Sequence, residues 1–167
     1  MSHQEAESLI ETDEPGKVAQ GLAMLKEPTG ANPDDAVAWF RYGGGLDRSG
    51  DEAAAIAAYE RVFEIGVEQL DPSDQPRIYV QAGSTLRNLG RLDEARALLE
   101  EGRRRFPDLR VLAVFQSFVE VSAGRDREAV NLLLDVILAE GSGDESLTWY
   151  PRSLAYYAGE IRGATGS

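Results

Sequence analysis

The chain has 167 residues, a formal net charge of −12, 43% apolar and 28% charged side chains, and no cysteine. This is the balance of a globular chain with a core; its charge argues against a nucleic-acid backbone or an anionic membrane as main partner, because either would repel it. Without cysteine there is no disulfide framework or thiolate metal site; no apolar run reaches the roughly 18 residues that span a membrane, and the N-terminal MSHQEAESLIETDEPG lacks the marks of a secretory signal, so a cytoplasmic location is expected.

Residues Met1–Thr12 are polar with a small apolar group, Leu9 and Ile10, and predict a short or frayed helix. Asp13-Glu14-Pro15 starts the next one, with Pro15 suited to the first helical position. Val18, Leu22 and Leu25 form its buried stripe to about Lys26, and Pro28, Gly30 and Pro33 end it. Asp34 then caps a helix Asp35–Arg48, followed by a second helix Asp51–Ile65. Gly43-Gly44-Gly45 interrupts the first of these. The sequence lacks the Lys-Ser/Thr and preceding strand of a phosphate loop, so close helix packing at Gly43 is the expected reason. Asp71-Pro72-Ser73-Asp74 is a turn and cap cluster rather than a cation loop, since no further ligands sit at loop spacing.

The stretch Arg77–Pro107 reads as two amphipathic helices about a hard turn at Gly90. Ile78, Tyr79, Ala82 and Leu86 line the first. Ala95, Leu98, Leu99 and Gly102 line the second, which starts at Asp93 and Glu94 and closes with Arg103–Arg105, as the helix dipole favours. Those arginines read as a solvated helix end rather than a nucleic-acid patch. A helix Leu109–Ala123 and a strongly apolar helix Arg127–Ala139 follow. After Gly141-Ser142-Gly143, Leu147, Tyr150, Leu154, Tyr157 and Ile161 recur at helical spacing, so a last helix of about Glu145–Arg162 is expected; Pro151 either kinks or starts it.

One plan occurs three times. Gly50, Gly90 and Gly124 mark equivalent turns, each with an alanine five residues on, Ala55, Ala95 and Ala129, at spacings of 40 and 34. With Trp39, Tyr42, Gly43, Leu46, Ala55 and Tyr59 at fixed points, the chain resembles the tetratricopeptide repeat, a helix–turn–helix unit. The third unit departs from pattern: Ala113, Gln116, Ser117 and Glu120 stand where a large aromatic, Leu, Gly and Tyr are usual. The layout is similar to a small bacterial three-repeat subfamily, mostly uncharacterised, with a lengthened first connection, the Leu86-Arg87-Asn88-Leu89-Gly90 turn and an aromatic C-terminal helix.

The resemblance implies an all-α superhelix of stacked antiparallel helix pairs in a single domain over 1–167. It would comprise an N-terminal half-repeat at 13–31, repeats at 32–75, 76–107 and 108–140, and a capping helix at 144–162. It also implies a concave groove lined by the first helix of each pair. By the family's positions the groove side chains are Val37, Phe40, Gly44 and Asp47, then Arg77, Val80, Ser84 and Arg87, then Val111, Val114, Phe118 and Val121. The carboxylate clamp of chaperone-binding members would need Lys, Asn and Arg where Phe40, Gly44, Ser84, Val111 and Phe115 stand, so a chaperone-tail receptor is not expected. The partner-binding candidates are therefore Phe40, Arg77, Val80, Ser84, Arg87, Val111, Val114, Phe118 and Val121: an apolar row beside a basic pair, Arg77 and Arg87, with Arg87 and Asn88 placed to fix a carboxylate.

Chemistry is hard to find. The one histidine is His3, no base stands with a nucleophile, and there is no G-x-S-x-G or metal-ligand pair. No catalytic, cofactor-binding or metal residue is assigned. The expected function is a non-catalytic module that binds a protein or peptide in its groove, with neither nucleic acid nor membrane as partner. The alternative is a self-associating module whose apolar surface forms a homodimer.

Overall fold

Three glycines turn the chain in one and the same way. Gly50, Gly90 and Gly124 have φ of +83°, +75° and +72°, the left-handed region that only glycine enters at little cost. At each corner the amide three residues past the helix end reaches back to the carbonyl five residues before it. Asp51 N donates to Leu46 O at 3.0 Å, Arg91 N to Leu86 O at 2.9 Å, and Arg125 N to Glu120 O at 2.8 Å. The glycine N–H closes the inner ring, to Asp47, Arg87 and Val121 O respectively. This is the Schellman closure, which satisfies carbonyls that a helix end would otherwise orphan.

The computed structural model describes residues 3–12, 14–139, 156, 158, 159, 161 and 163. Its helices are α1 (His3–Ile10), α2 (Pro15–Ala31), α3 (Ala36–Arg48), α4 (Glu52–Ile65), α5 (Gln75–Asn88), α6 (Leu92–Arg105), α7 (Val111–Ser122) and α8 (Asp126–Leu138), with a 3-10 turn at Val67–Gln69. Among the described residues there is no strand, and no helix long and apolar enough to cross a membrane. The all-α class is therefore observed, with neighbouring helices packed in pairs. The turn at 141–143, Pro151 and most of the expected terminal helix lie outside the described residues. Of its far end, Tyr156, Ala158, Gly159, Ile161 and Gly163 are helical, with Ala158 buried. The chain divides into two compact units, with the boundary after Arg91.

In the first unit α1 is more than a frayed end. Ala6 and Ile10 are buried with Leu25 of α2, and Gly21 lets the two helices meet: a Cβ there would stand 2.6 Å from the Ala6 carbonyl. The N-terminal element is thus a pair of helices. α2 also runs past the expected stop, through Pro28 to Ala31. The proline forfeits one backbone bond near the helix end, where Thr29 Oγ1 donates to Lys26 O at 2.7 Å and Asn32 N to Pro28 O at 2.9 Å.

The cap of α3 is Asp35, not Asp34: its carboxylate accepts from Ala38 N at 3.0 Å, and Asp34 pairs instead with Arg61. Asp51 caps α4 in the same manner. The triple glycine of α3 serves two contacts. A Cβ on Gly43 would stand 2.6 Å from the Tyr59 ring of α4, and one on Gly45 would stand 2.5 Å from Leu25 of α2. Tyr59 is fully buried against Gly43, its hydroxyl donating to Gln81 Oε1 at 3.1 Å, and burial pushes its phenol pKa up. The lengthened connection adds Val67 and Leu70 to the core, and Phe63 meets Tyr79 of α5 edge to face at 5.3 Å.

The second unit holds α6, α7 and α8. Ala95, Leu99 and Gly102 of α6, Leu112, Ala113 and Val119 of α7, and Ala129 of α8 are its buried small and apolar positions.

Candidate functional site

In the first unit α1, α3 and α5 share a face. His3 and Glu7, then Phe40, Arg41, Gly44 and Arg48, then Asp74, Arg77 and Gln81 line a polar cavity of about 250 Å³. Helical spacing puts them there: Phe40, Gly44 and Arg48 fall at i, i+4 and i+8 on α3, and Arg77 and Gln81 at i, i+4 on α5. Arg48 pairs with Glu7 at 2.8 Å and Arg77 with Asp74 at 3.0 Å. Of the sequence candidates, Phe40 and Arg77 line this cavity. Phe40 is 9% exposed, its ring tilted against Tyr59 with centroids 6.4 Å apart, so it supplies a floor rather than a grip. Val80, Ser84 and Arg87 are half-buried. The Asn88 amide is engaged on both sides: Arg87 Nη1 reaches its Oδ1 at 3.5 Å, and its Nδ2 donates to Glu52 at 3.0 Å. Asn88 thereby ties the Gly90 corner to the start of α4.

His3 stands at the edge of this cavity. Burial holds its imidazole below the usual histidine value, with Arg41 and Arg48 acting the same way and Glu7 opposing. Asp47, on the next turn of α3, is raised above the usual carboxylate value, first by burial. The Thr85 hydroxyl lies 3.1 Å from its carboxylate and 2.9 Å from Gln81 O. A hydroxyl carries one hydrogen, so it cannot donate fully to both.

In the second unit α7 carries the apolar row that the family resemblance implies. Val111, Phe118 and Val121 are 46%, 44% and 55% exposed, and Val114 is half-buried. Phe115 packs edge to face on Phe118 at 5.8 Å. α8 adds Val130, Leu133 and Ile137 to the exposed apolar side chains of this unit.

The opposite face of α7 carries what the repeat pattern only flagged as irregular. Glu120 is fully buried. Its Oε2 accepts from Arg125 Nε at 2.5 Å; its Oε1 accepts from Gln116 at 3.4 Å and lies 3.0 Å from Arg96 Nε. Gln116 accepts from Arg103 at 3.0 Å and donates to Glu100 at 3.3 Å. The hydrogen bond to Glu120 holds the Arg125 guanidinium above its ordinary value. One buried carboxylate thus joins α6, α7 and the start of α8, with both oxygens engaged. Two long polar residues four apart, on the side of α7 that should face the core, were the sequence signal for it.

Among the described residues no three His, Cys, Asp or Glu side chains converge as a metal would need. A family model described as tetratrico peptide repeat matches residues 36–161. No curated protein matches the chain.

Proposed function

The chain belongs to the tetratricopeptide repeat family, and on that premise we propose that it is a non-catalytic module that captures a protein or peptide on the face of its first helices. Repeats of this family generally mediate protein–protein interaction. The observation that carries the reading is the row Val111, Phe118 and Val121 on α7, where apolar side chains stand in water at the positions the family uses for contact. In the first unit Phe40 and Arg77 line a cavity on the corresponding helices. Val80, Ser84 and Arg87 of the first unit and Val114 of the second are further candidates, each half-buried within its own unit.

A Phe118→Arg bait, compared with wild type in the native cell extract, tests this. The variant places a charge on an exposed ring position and leaves the core of α7 untouched. Partner capture is expected to fall at least about tenfold, the equivalent of roughly 1.4 kcal/mol. Equal capture by both baits contradicts the reading.

The exposed apolar residues of α8 favour a second reading, in which two copies of the chain cover these surfaces in a homodimer. Light scattering at micromolar concentration decides it. A dimer that Phe118→Arg splits without unfolding supports self-association, and a persistent monomer removes it.

A further inference from the structure

Two cavities of the first unit adjoin. The polar one is described above. The other, of about 270 Å³, lies between α1, α2 and α3 and has an apolar wall of Met24, Leu25, Val37 and Ala38. His3 and Arg41 line both. A volume of this size takes one bulky side chain, and the apolar wall selects for carbon.

Two groups, exposed Arg41 and the Gln81 amide, give the junction a defined polarity. Arg41 has no hydrogen bond or ion pair among the described residues. The acids nearest it are committed: Glu7 to Arg48, Asp74 to Arg77, and Asp35 to the cap of α3, which leaves exposed Glu27 on the rim. His3 Nδ1 is shielded from solvent and has no partner, while Nε2 lies 3.4 Å from Glu7. Beyond Arg41, Gln81 accepts the Tyr59 hydroxyl through Oε1, which fixes the amide and leaves its NH₂ as a donor to the polar lobe. A ligand that ended at Arg41 would leave that donor unused.

We propose that the two lobes form one site for a segment of a partner protein in which a bulky apolar residue is followed by an internal aspartate or glutamate. The apolar side chain fills the lobe at Met24 and Val37, and the carboxylate pairs with Arg41. The chain then runs on through the polar lobe past Gln81. This rests on the reading of the protein as a partner-binding module and specifies one segment chemistry for it; the site belongs to the first unit and the α7 row to the second.

The test uses the full chain, labelled with nitrogen-15, and the amidated dipeptide acetyl-Phe-Asp-NH₂. His3 is the one histidine, so its imidazole resonances report from the junction without ambiguity. Addition of the peptide is expected to shift His3, Met24, Val37 and Ala38 together, with millimolar affinity. Acetyl-Phe-Asn-NH₂ and the Arg41→Gln variant should each bind at least about fivefold more weakly, roughly 1 kcal/mol. Val37→Phe, which fills the apolar lobe from a half-buried position, should abolish the shifts. Equal binding of the Asp and Asn peptides overturns the proposal, as do shifts that fall on α7 or none at about 10 mM, roughly tenfold above the expected constant. Tighter binding of acetyl-Phe with its free terminal carboxylate overturns the internal acid in favour of a chain terminus. A negative result here beside a Phe118-dependent capture removes this site alone, whereas loss of both removes the module reading.

Discussion

The α3–α4 and α7–α8 hairpins have the same corner and are held by opposite means. In α3–α4 a fully buried Tyr59 ring lies on a glycine backbone, and its one polar atom is satisfied by Gln81. In α7–α8 the corresponding interior holds Glu120, with guanidinium and amide groups of α6, α7 and the Gly124 corner around it. The glycine corner fixes how a hairpin turns and leaves open what fills it. Aromatic packing brings dispersion and area burial without a desolvation penalty. A buried carboxylate carries a large desolvation cost that only a complete set of partners offsets, and its gain is in defining one arrangement. The same helix that buries this charge turns Val111, Phe118 and Val121 outward. Glu120 therefore fixes the orientation of the face that we assign to binding.

The largest effect should come from breaking the ionic interior. Glu120→Ala leaves Gln116 and two arginines without their common anion, and is expected to cost the second unit about 3–5 kcal/mol. Arg96 and Arg125 still reach water, with side chains 38% and 29% exposed. Gln116→Leu with Glu120→Tyr, which restores the usual residue types, should therefore recover most of that loss. Urea unfolding with hydrogen exchange resolves the two variants, and equal losses would sink the ionic account. In the aromatic hairpin, Gly43→Ala drives a methyl group to 2.6 Å from the Tyr59 ring. Overpacking of that kind costs about 1–3 kcal/mol, read by the same titration.

Next is the feature the hairpins share. A Cβ on Gly50 meets nothing within 4 Å, so Gly50→Ala isolates the backbone cost of a left-handed residue, about 1–2 kcal/mol. A much larger value would mean that the corner carries packing too. The smallest effect concerns Asp47. Its folded-state pKa is raised, so its stabilising contribution is complete below the ordinary carboxylate value and disappears as pH rises through the raised one. Asp47→Asn should match wild type at acid pH and be slightly more stable near neutrality. A variant that is less stable at every pH contradicts burial as the dominant cause.

The corners were legible in the sequence because glycine before an acidic helix start has one physical meaning, and the row Val111, Val114, Phe118 and Val121 came from the positions that the repeat family's pattern assigns. Glu120 was not, since a charge that faces inward reads like one that faces out until its counter-ions on α6 and beyond Gly124 are brought together. α1 was underestimated for a related reason: Ala6 and Ile10 are too few to predict burial without Gly21 and Gly45, which let neighbouring chains close on them. Asp34 and Asp35 are equally good caps by type, and only the geometry of the turn chose Asp35.

Photo-crosslinking from α7 tests the central claim most directly. Benzoylphenylalanine replaces Phe118 in one sample and exposed Arg127 of α8 in another, and both are irradiated in the native cell. The account predicts a discrete crosslinked protein from position 118 that is absent from position 127. Equal adducts from both positions, or none from 118, would contradict it.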